Sequence, residues 1–159
     1  MTVQANDTML QSRSNEHHTA SYRIAFNFLR LLEQQFPVIN AHHTIELRYP
    51  HQFANQLNVH VNHLNRAIKR MVGKTTSDVI SERILSEANK LLIENQMTIS
   101  EIAFALGFSE PTHFTNFFKK RVKISPVKFR QVQCSKFNDT IEIAYRKKNE
   151  DLYSKRPSF

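Results

Sequence analysis

Tryptophan is absent from this 159-residue chain, and cysteine occurs once, at Cys134. A single thiol excludes an internal disulfide framework and any Cys-rich zinc module. Glycine is nearly as scarce: Gly73 and Gly107 are the only two. That is few for a sheet protein with many tight hairpins, whereas an all-helical fold manages with so few. Long apolar runs are missing too. The longest, Ile102–Leu106, continues through Gly107 to Phe108, far short of the ~20 residues that span a membrane. No basic segment followed by an apolar one opens the chain, so nothing argues for secretion or for a membrane partner. A cytoplasmic protein is expected.

Against these absences stand 12 phenylalanines, 40% apolar residues and 23% charged ones, a globular composition with bulk enough for a core. Net charge is +8 and the isoelectric point about 9.8. Such a balance favours a polyanionic partner, with a solvated basic surface as the plainer alternative. Residues 1–50 carry four cations and four anions, residues 51–133 twelve and six, and residues 134–159 six and four. The excess is therefore concentrated in the middle segment.

Residues 1–19 are polar and mixed, the composition of a frayed end. Over Ala20–Phe36, the apolar residues Ile24, Phe28, Leu31, Leu32 and Phe36 recur at helical spacing, and Pro37 ends the helix. A connector follows to residue 50, with an apolar alternation at Ile45, Leu47 and Tyr49. In the tail, Thr140–Tyr145 alternates like a short strand before the basic run Arg146-Lys147-Lys148, although disorder suits so polar an end better.

The middle segment contains one short text twice. Phe53-Ala54-Asn55-Gln56-Leu57-Asn58-Val59-His60 is answered 49 residues later by Ile102-Ala103-Phe104-Ala105-Leu106-Gly107-Phe108-Ser109. Asn58 and Gly107 are equivalent, and Asn and Gly are the residues that best tolerate positive φ. A helix stopped by a left-handed residue and followed at once by another helix is a helix-turn-helix. Ala54 and Ala103 suit close approach of the second helix. Thr98-Ile99-Ser100-Glu101 has the form of a capping box, and Pro50 stands where the corresponding first-copy helix begins.

The helices that follow match at an offset of 50, Leu64, Ile68 and Val72 answering Phe114, Phe118 and Val122. Steps of about 100° per residue gather Val61, Leu64, Ala67, Ile68, Met71 and Val72 on one apolar arc. Asn62, Arg66 and Lys69 lie opposite, with His63 and Asn65 at the flanks. In the second copy Phe114, Phe117 and Phe118 turn inward, Thr112, Asn116 and Lys119 outward, with His113 and Thr115 flanking. Neither outer face holds a carboxylate at these five positions. Amides, hydroxyls and cations are what a base-reading surface requires: Asn pairs with adenine, Arg with guanine, and Thr donates, accepts or touches a thymine methyl. Two acid-free faces by chance is the competing explanation, and their matching register weakens it.

Between the copies, Thr76–Asn95 carries a stripe of Ile80, Ile84, Ala88, Leu91 and Leu92 behind a Thr75/Thr76 cap. A helix of about 18 residues is ~27 Å long, a strut able to hold two helices roughly one DNA turn apart. Ser125-Pro126 opens a last helix to Gln133, with Val127 and Phe129 available for packing.

These residues resemble the DNA-binding domain of AraC/XylS-type bacterial transcription regulators over about residues 51–133. The most specific stretch is Ile99-Ser100-Glu101-Ile102-Ala103, Leu106-Gly107-Phe108, Phe114, Phe117-Phe118-Lys119-Lys120, then Ser125-Pro126 and Phe129-Arg130. In the first copy, Leu64-Asn65-Arg66 and Lys69 before Gly73 also fit. The resemblance implies an all-α, seven-helix fold with two helix-turn-helix units, at about 51–72 and 99–122, joined by a long central helix. Residues 20–50 would form a preceding linker helix and connector, and 134–159 a basic tail. It further implies sequence-specific binding of promoter DNA, with Asn62, Asn65, Arg66, Pro111, Thr112, Thr115 and Asn116 facing bases. His60, His63, Lys69, Arg70, Ser109, His113, Lys119, Lys120 and Arg130 are assigned to phosphates or to the flanks of the contact. Two departures stand out: Asn116 replaces a common Arg, and Pro111 occupies an early recognition-helix position. RNA polymerase is the further partner expected, and an effector or dimerisation domain is either missing or carried on a longer chain. No cofactor is called for.

Eight histidines raise a metal reading, notably His60 with His63 and the pairs His17-His18 and His42-His43, but His60 and His63, three apart, have no acidic or thiol ligand nearby, and helix capping and DNA contact account for them better. Cys134 has no base nearby and no phosphate loop exists, so catalysis is not expected. The stronger rival is a protein-interaction module of the same fold that modulates another regulator or polymerase without reading DNA.

Overall fold

The computed structural model describes residues 20–94, 96–133 and 135. Among them are seven helices and no strand: α1 (20–33), α2 (Pro50–Gln56), α3 (Val61–Val72), α4 (Thr76–Glu94), α5 (Ile99–Ala105), α6 (Pro111–Val122) and α7 (126–133). The polar segment 1–19 with His17-His18, Cys134, the strand-like Thr140–Tyr145 and the basic tail lie outside the described residues. No helix among those described is long and apolar enough to cross a membrane.

The repeated text builds the same turn twice. Leu57 N–H donates to Phe53 O and Leu106 N–H to Ile102 O, both at 2.9 Å. Val59 N–H reaches back to Ala54 O and Phe108 N–H to Ala103 O, again at 2.9 Å. These six-to-one bonds are the Schellman closure of a helix end, and they require the left-handed residue each copy supplies: Asn58 at φ +53° and Gly107 at φ +73°. Ala54 and Ala103 are buried.

Both second helices also end alike, at an offset of 50. Gly73 at φ +76° donates to Lys69 O, and Lys123 at φ +69° donates to Lys119 O. The sequence signals a left-handed stop at Gly73 but not at Lys123, where a side chain with a Cβ takes the same strained conformation. Met71 and Val72, expected inward, are 40% and 37% exposed, because the last turn of α3 overhangs the core that covers Leu64, Ala67 and Ile68. Val127 of α7 is likewise exposed, and Phe129 does the packing, edge-on to Phe118 at 5.3 Å.

In α4, Ile80, Ile84, Ala88, Leu91 and Leu92 are all buried, as their spacing requires. Thr75 caps it by accepting from Asp78 N–H at 3.1 Å. The Thr98–Glu101 capping box of α5 is present in both directions, Thr98 N–H to Glu101 Oε2 at 2.7 Å and Glu101 N–H to Thr98 Oγ1 at 3.2 Å. Pro50 and Pro111 both occupy the first turn of their helices, where the missing N–H costs nothing.

Residues 20–50, read from sequence as linker helix and connector, join the common core. One hydrophobic cluster runs from Ala25, Phe28 and Leu32 through Phe53, Leu64 and Ile68 to Ile84, Leu92, Ile102, Phe114 and Phe118. Phe28 meets Phe53 edge-on at 5.0 Å. Helix α1 ends at 33 rather than 36, because Gln35 turns its amide onto the returning chain. Its Oε1 accepts from Glu46 and Leu47 N–H, and its Nε2 donates to Leu47 O, so one side chain stands in for a neighbouring strand. That fixes the extended stretch in which Ile45 is buried and Tyr49 exposed.

Candidate nucleic-acid interface

Helices α3 and α6 carry the residues of interest because their buried stripes dictate what remains outside. With Leu64, Ala67 and Ile68 inward, α3 exposes Asn62, His63, Asn65, Arg66, Lys69 and Arg70. With Phe114 and Phe118 inward, α6 exposes Thr112, His113, Asn116, Lys119 and Lys120, while Pro111 and Thr115 are half-buried. Amides on α3 and hydroxyls with an amide on α6 occupy the N-terminal half of each helix, joined on α3 by Arg66, and further cations stand in the last turn, where they complement the helix dipole. Phe108 anchors the base of α6, its ring 5.4 Å from Phe114 and 5.2 Å from Phe117.

The histidines hold helix starts. His60 is the N-cap of α3, its Nδ1 accepting from Asn62 N–H at 3.2 Å, and His63 lies edge-on to it at 6.1 Å. His113 Nδ1 pairs with Ser109 Oγ at 3.2 Å ahead of α6. Both His60 and Ser109 are exposed. Lys69 bends back to donate from Nζ to Gly73 O at 2.9 Å, a contact a flexible exposed side chain readily exchanges.

Arg130 is placed differently from the other cations. Its Nε donates to Leu92 O at 3.0 Å and its Nη2 to Met97 O at 2.7 Å. Half-buried, it satisfies the Leu92 carbonyl in the last turn of α4 and the Met97 carbonyl in the loop beyond, tying α7 there. Its guanidinium therefore serves the fold. Two cations not singled out from sequence join the exposed set: Arg121, lying over the Phe117 ring at 4.1 Å, and Lys123. The run Lys119-Lys120-Arg121 before Lys123 was the available signal.

Asp78 lies exposed in the first turn of α4. Hydrogen bonding from Thr75 holds its carboxyl below the ordinary range, helped by Arg121 and Lys69. A cation from α6 and one from α3 thus act on the same carboxylate. Among the described residues no group of three potential ligands is arranged for a metal.

The family described as a helix-turn-helix domain matches residues 53–132, half of the chain. Over 69 residues the chain is 42% identical to the probable transcription factor PqrA of Proteus vulgaris, a stretch covering 43% of this chain and 57% of that protein. The chain thus spans little more than half the length of that relative. The C-terminal domain of AraT, a response regulator from Geobacillus stearothermophilus, superposes with a TM-score of 0.56 at 25% identity, over 69% of this chain and 84% of that one. A transcriptional regulator with an AraC-type DNA-binding domain from Chromobacterium violaceum shares the fold, at a TM-score of 0.55 and 23% identity over 72% and 96% of the two chains. With its two identically closed turns, its long central helix and these likenesses, the chain belongs to the AraC-type helix-turn-helix family.

Proposed function

We propose that this chain binds double-stranded promoter DNA as a sequence-specific transcription regulator, with α3 and α6 entering adjacent major-groove segments. The observation that carries the reading is the pair of exposed faces, free of acid and in matching register, one on each side of α4. The 19 residues of α4 make a rod of about 28 Å, comparable to the ~34 Å of one DNA turn. Asn62, Asn65 and Arg66 on α3, and Thr112, Thr115 and Asn116 on α6, read base edges, with Pro111 beside them. Lys69, Arg70, Lys119 and Lys120, joined by Arg121 and Lys123, neutralise phosphates. His60, His63, Ser109 and His113 flank the contact. RNA polymerase is the partner through which a promoter-bound protein of this kind acts.

Selection of bound duplexes from a random pool, followed by a salt series on the winner, tests the reading. Affinity is expected to fall steeply with salt through counterion release while preference over random duplex persists. Arg66→Ala should weaken the selected site by about 1–3 kcal/mol and relax preference at particular base pairs. Lys119→Ala should weaken all duplexes alike and flatten the salt slope. Equal losses on selected and random DNA for Arg66→Ala would reject this division of labour. No enriched sequence at all would favour a protein-interaction module.

A further inference from the structure

The segment between α1 and α2 touches both helix-turn-helix units. Val38 N–H donates to the buried carboxylate of Glu87 on α4 at 2.8 Å, and that carboxylate is paired with Arg83 at 2.9 Å. Further along, Ile45 N–H donates to Ala105 O at the end of α5. Arg48 then makes two contacts at the second turn: Nη1 donates to Gly107 O at 2.6 Å, and its guanidinium lies 3.6 Å from the centroid of Phe108. Phe108 is the ring on which Phe114 and Phe117 of α6 pack. On the other side, Gln52 of α2 accepts from Arg48 N–H at 2.8 Å and from Tyr49 N–H at 2.9 Å.

Two units packed on one rod can still shift about it, and a second tether limits that motion. Here α4 is the rod. The connector is the second tether, and Arg48 is where it grips, with its main chain held by α2 of the first unit and its guanidinium seated under α6 of the second. We propose that Arg48 is a positioning residue that fixes the separation and rotation of α3 relative to α6, and so sets which half-site spacing the protein accepts. The inference rests on the reading above, in which both helices enter DNA.

Two measurements test it. On a Cys134→Ser background, spin labels at Asn55→Cys on α2 and Lys120→Cys on α6 report the distance between the units in the free protein. A single narrow distribution is expected with Arg48, and a broadened one with Arg48→Ala. An unchanged width overturns the proposal whatever the protein does with DNA. The selected operator is then lengthened by one, two or three base pairs between its half-sites. The unsubstituted protein should lose about tenfold or more in affinity, and Arg48→Ala about threefold or less. Equal spacing penalties for both proteins count against the proposal. Absence of any preferred operator sinks the DNA reading instead and leaves the label distances to decide the tether. If Arg48→Ala does not fold, Arg48→Lys carries both measurements, since it keeps a donor for Gly107 O and loses the planar face on Phe108. With either variant, a broadened distance distribution supports the tether and an unchanged one overturns it.

Discussion

Gly73 and Gly107 share nearly the same backbone angle, φ +76° and +73°, but only one of them is hemmed in. A Cβ added at Gly73 meets nothing within 4 Å, whereas one at Gly107 collides with the Ile45 carbonyl oxygen and with Cδ of Arg48. Gly73→Ala should therefore cost about 1 kcal/mol, the strain of a left-handed residue alone. Gly107→Ala should cost about 3 kcal/mol or more, because backbone and arginine must move as well. Urea unfolding of the two variants side by side checks the difference. Lys123 offers the converse change. It holds φ +69° with a side chain that donates to Lys120 O at 3.1 Å. Lys123→Gly should raise stability by up to about 1 kcal/mol by relieving that strain, and a rise in the urea midpoint would show it.

Helix starts tie stability to pH. Hydrogen bonds from the Thr98 backbone and side chain hold the Glu101 carboxyl below its ordinary range, and the Thr75 hydroxyl does the same for Asp78. A carboxyl whose folded pKa is depressed contributes stability that is complete above the unfolded value, about 4.3 for Glu and 3.9 for Asp. That contribution is lost as pH falls through the lower folded value. Thr98→Ala should cost about 1 kcal/mol at neutral pH, and the part of that loss owed to the Glu101 carboxylate should shrink as pH falls through its lowered folded value. Urea titrations at pH 7 and pH 3 measure both. Caps and stops of this sort were legible in the sequence because they are local: Thr98 and Glu101 stand three residues apart, and each left-handed turn is closed within six. The stripe of α4 was legible for the same reason, since a helix repeats its inward face every few residues. Lys123 was not, because nothing in a lysine announces positive φ. The overhang of Met71 and Val72 escaped too, because periodicity says which way a side chain points but not how far the core extends beneath it.

At the scale of the molecule, what the sequence concealed was the role of residues 20–50. Glu87 meets Val38 across 49 positions and Arg48 meets Gly107 across 59. No spacing rule reaches so far, so the alternation at Ile45, Leu47 and Tyr49 had no readable partner. The carbonyl partners of Arg130 were hidden for the same reason, lying 33 and 38 residues away. Of the exposed faces, nearly all was legible, because exposure there follows from which residues are buried on the same helix. A chain beginning at residue 51 would vacate the places of Phe28, Leu32, Val38 and Ile45 in the shared cluster. Losing one such phenylalanine alone costs about 3–5 kcal/mol, comparable to the whole stability of a small domain. That shortened chain is expected to lose its cooperative thermal transition, which calorimetry would show, and retention of the transition would mean the two units stand without α1. The crossing of the connector over Gly107 also makes the duplicated units unequal as material for engineering. Asn58 sits in a turn another residue tolerant of positive φ could fill, so the first unit invites transplantation of a foreign reading helix. The second is pinned from outside, and a graft there succeeds only if it imports a glycine and leaves the overlying segment undisturbed.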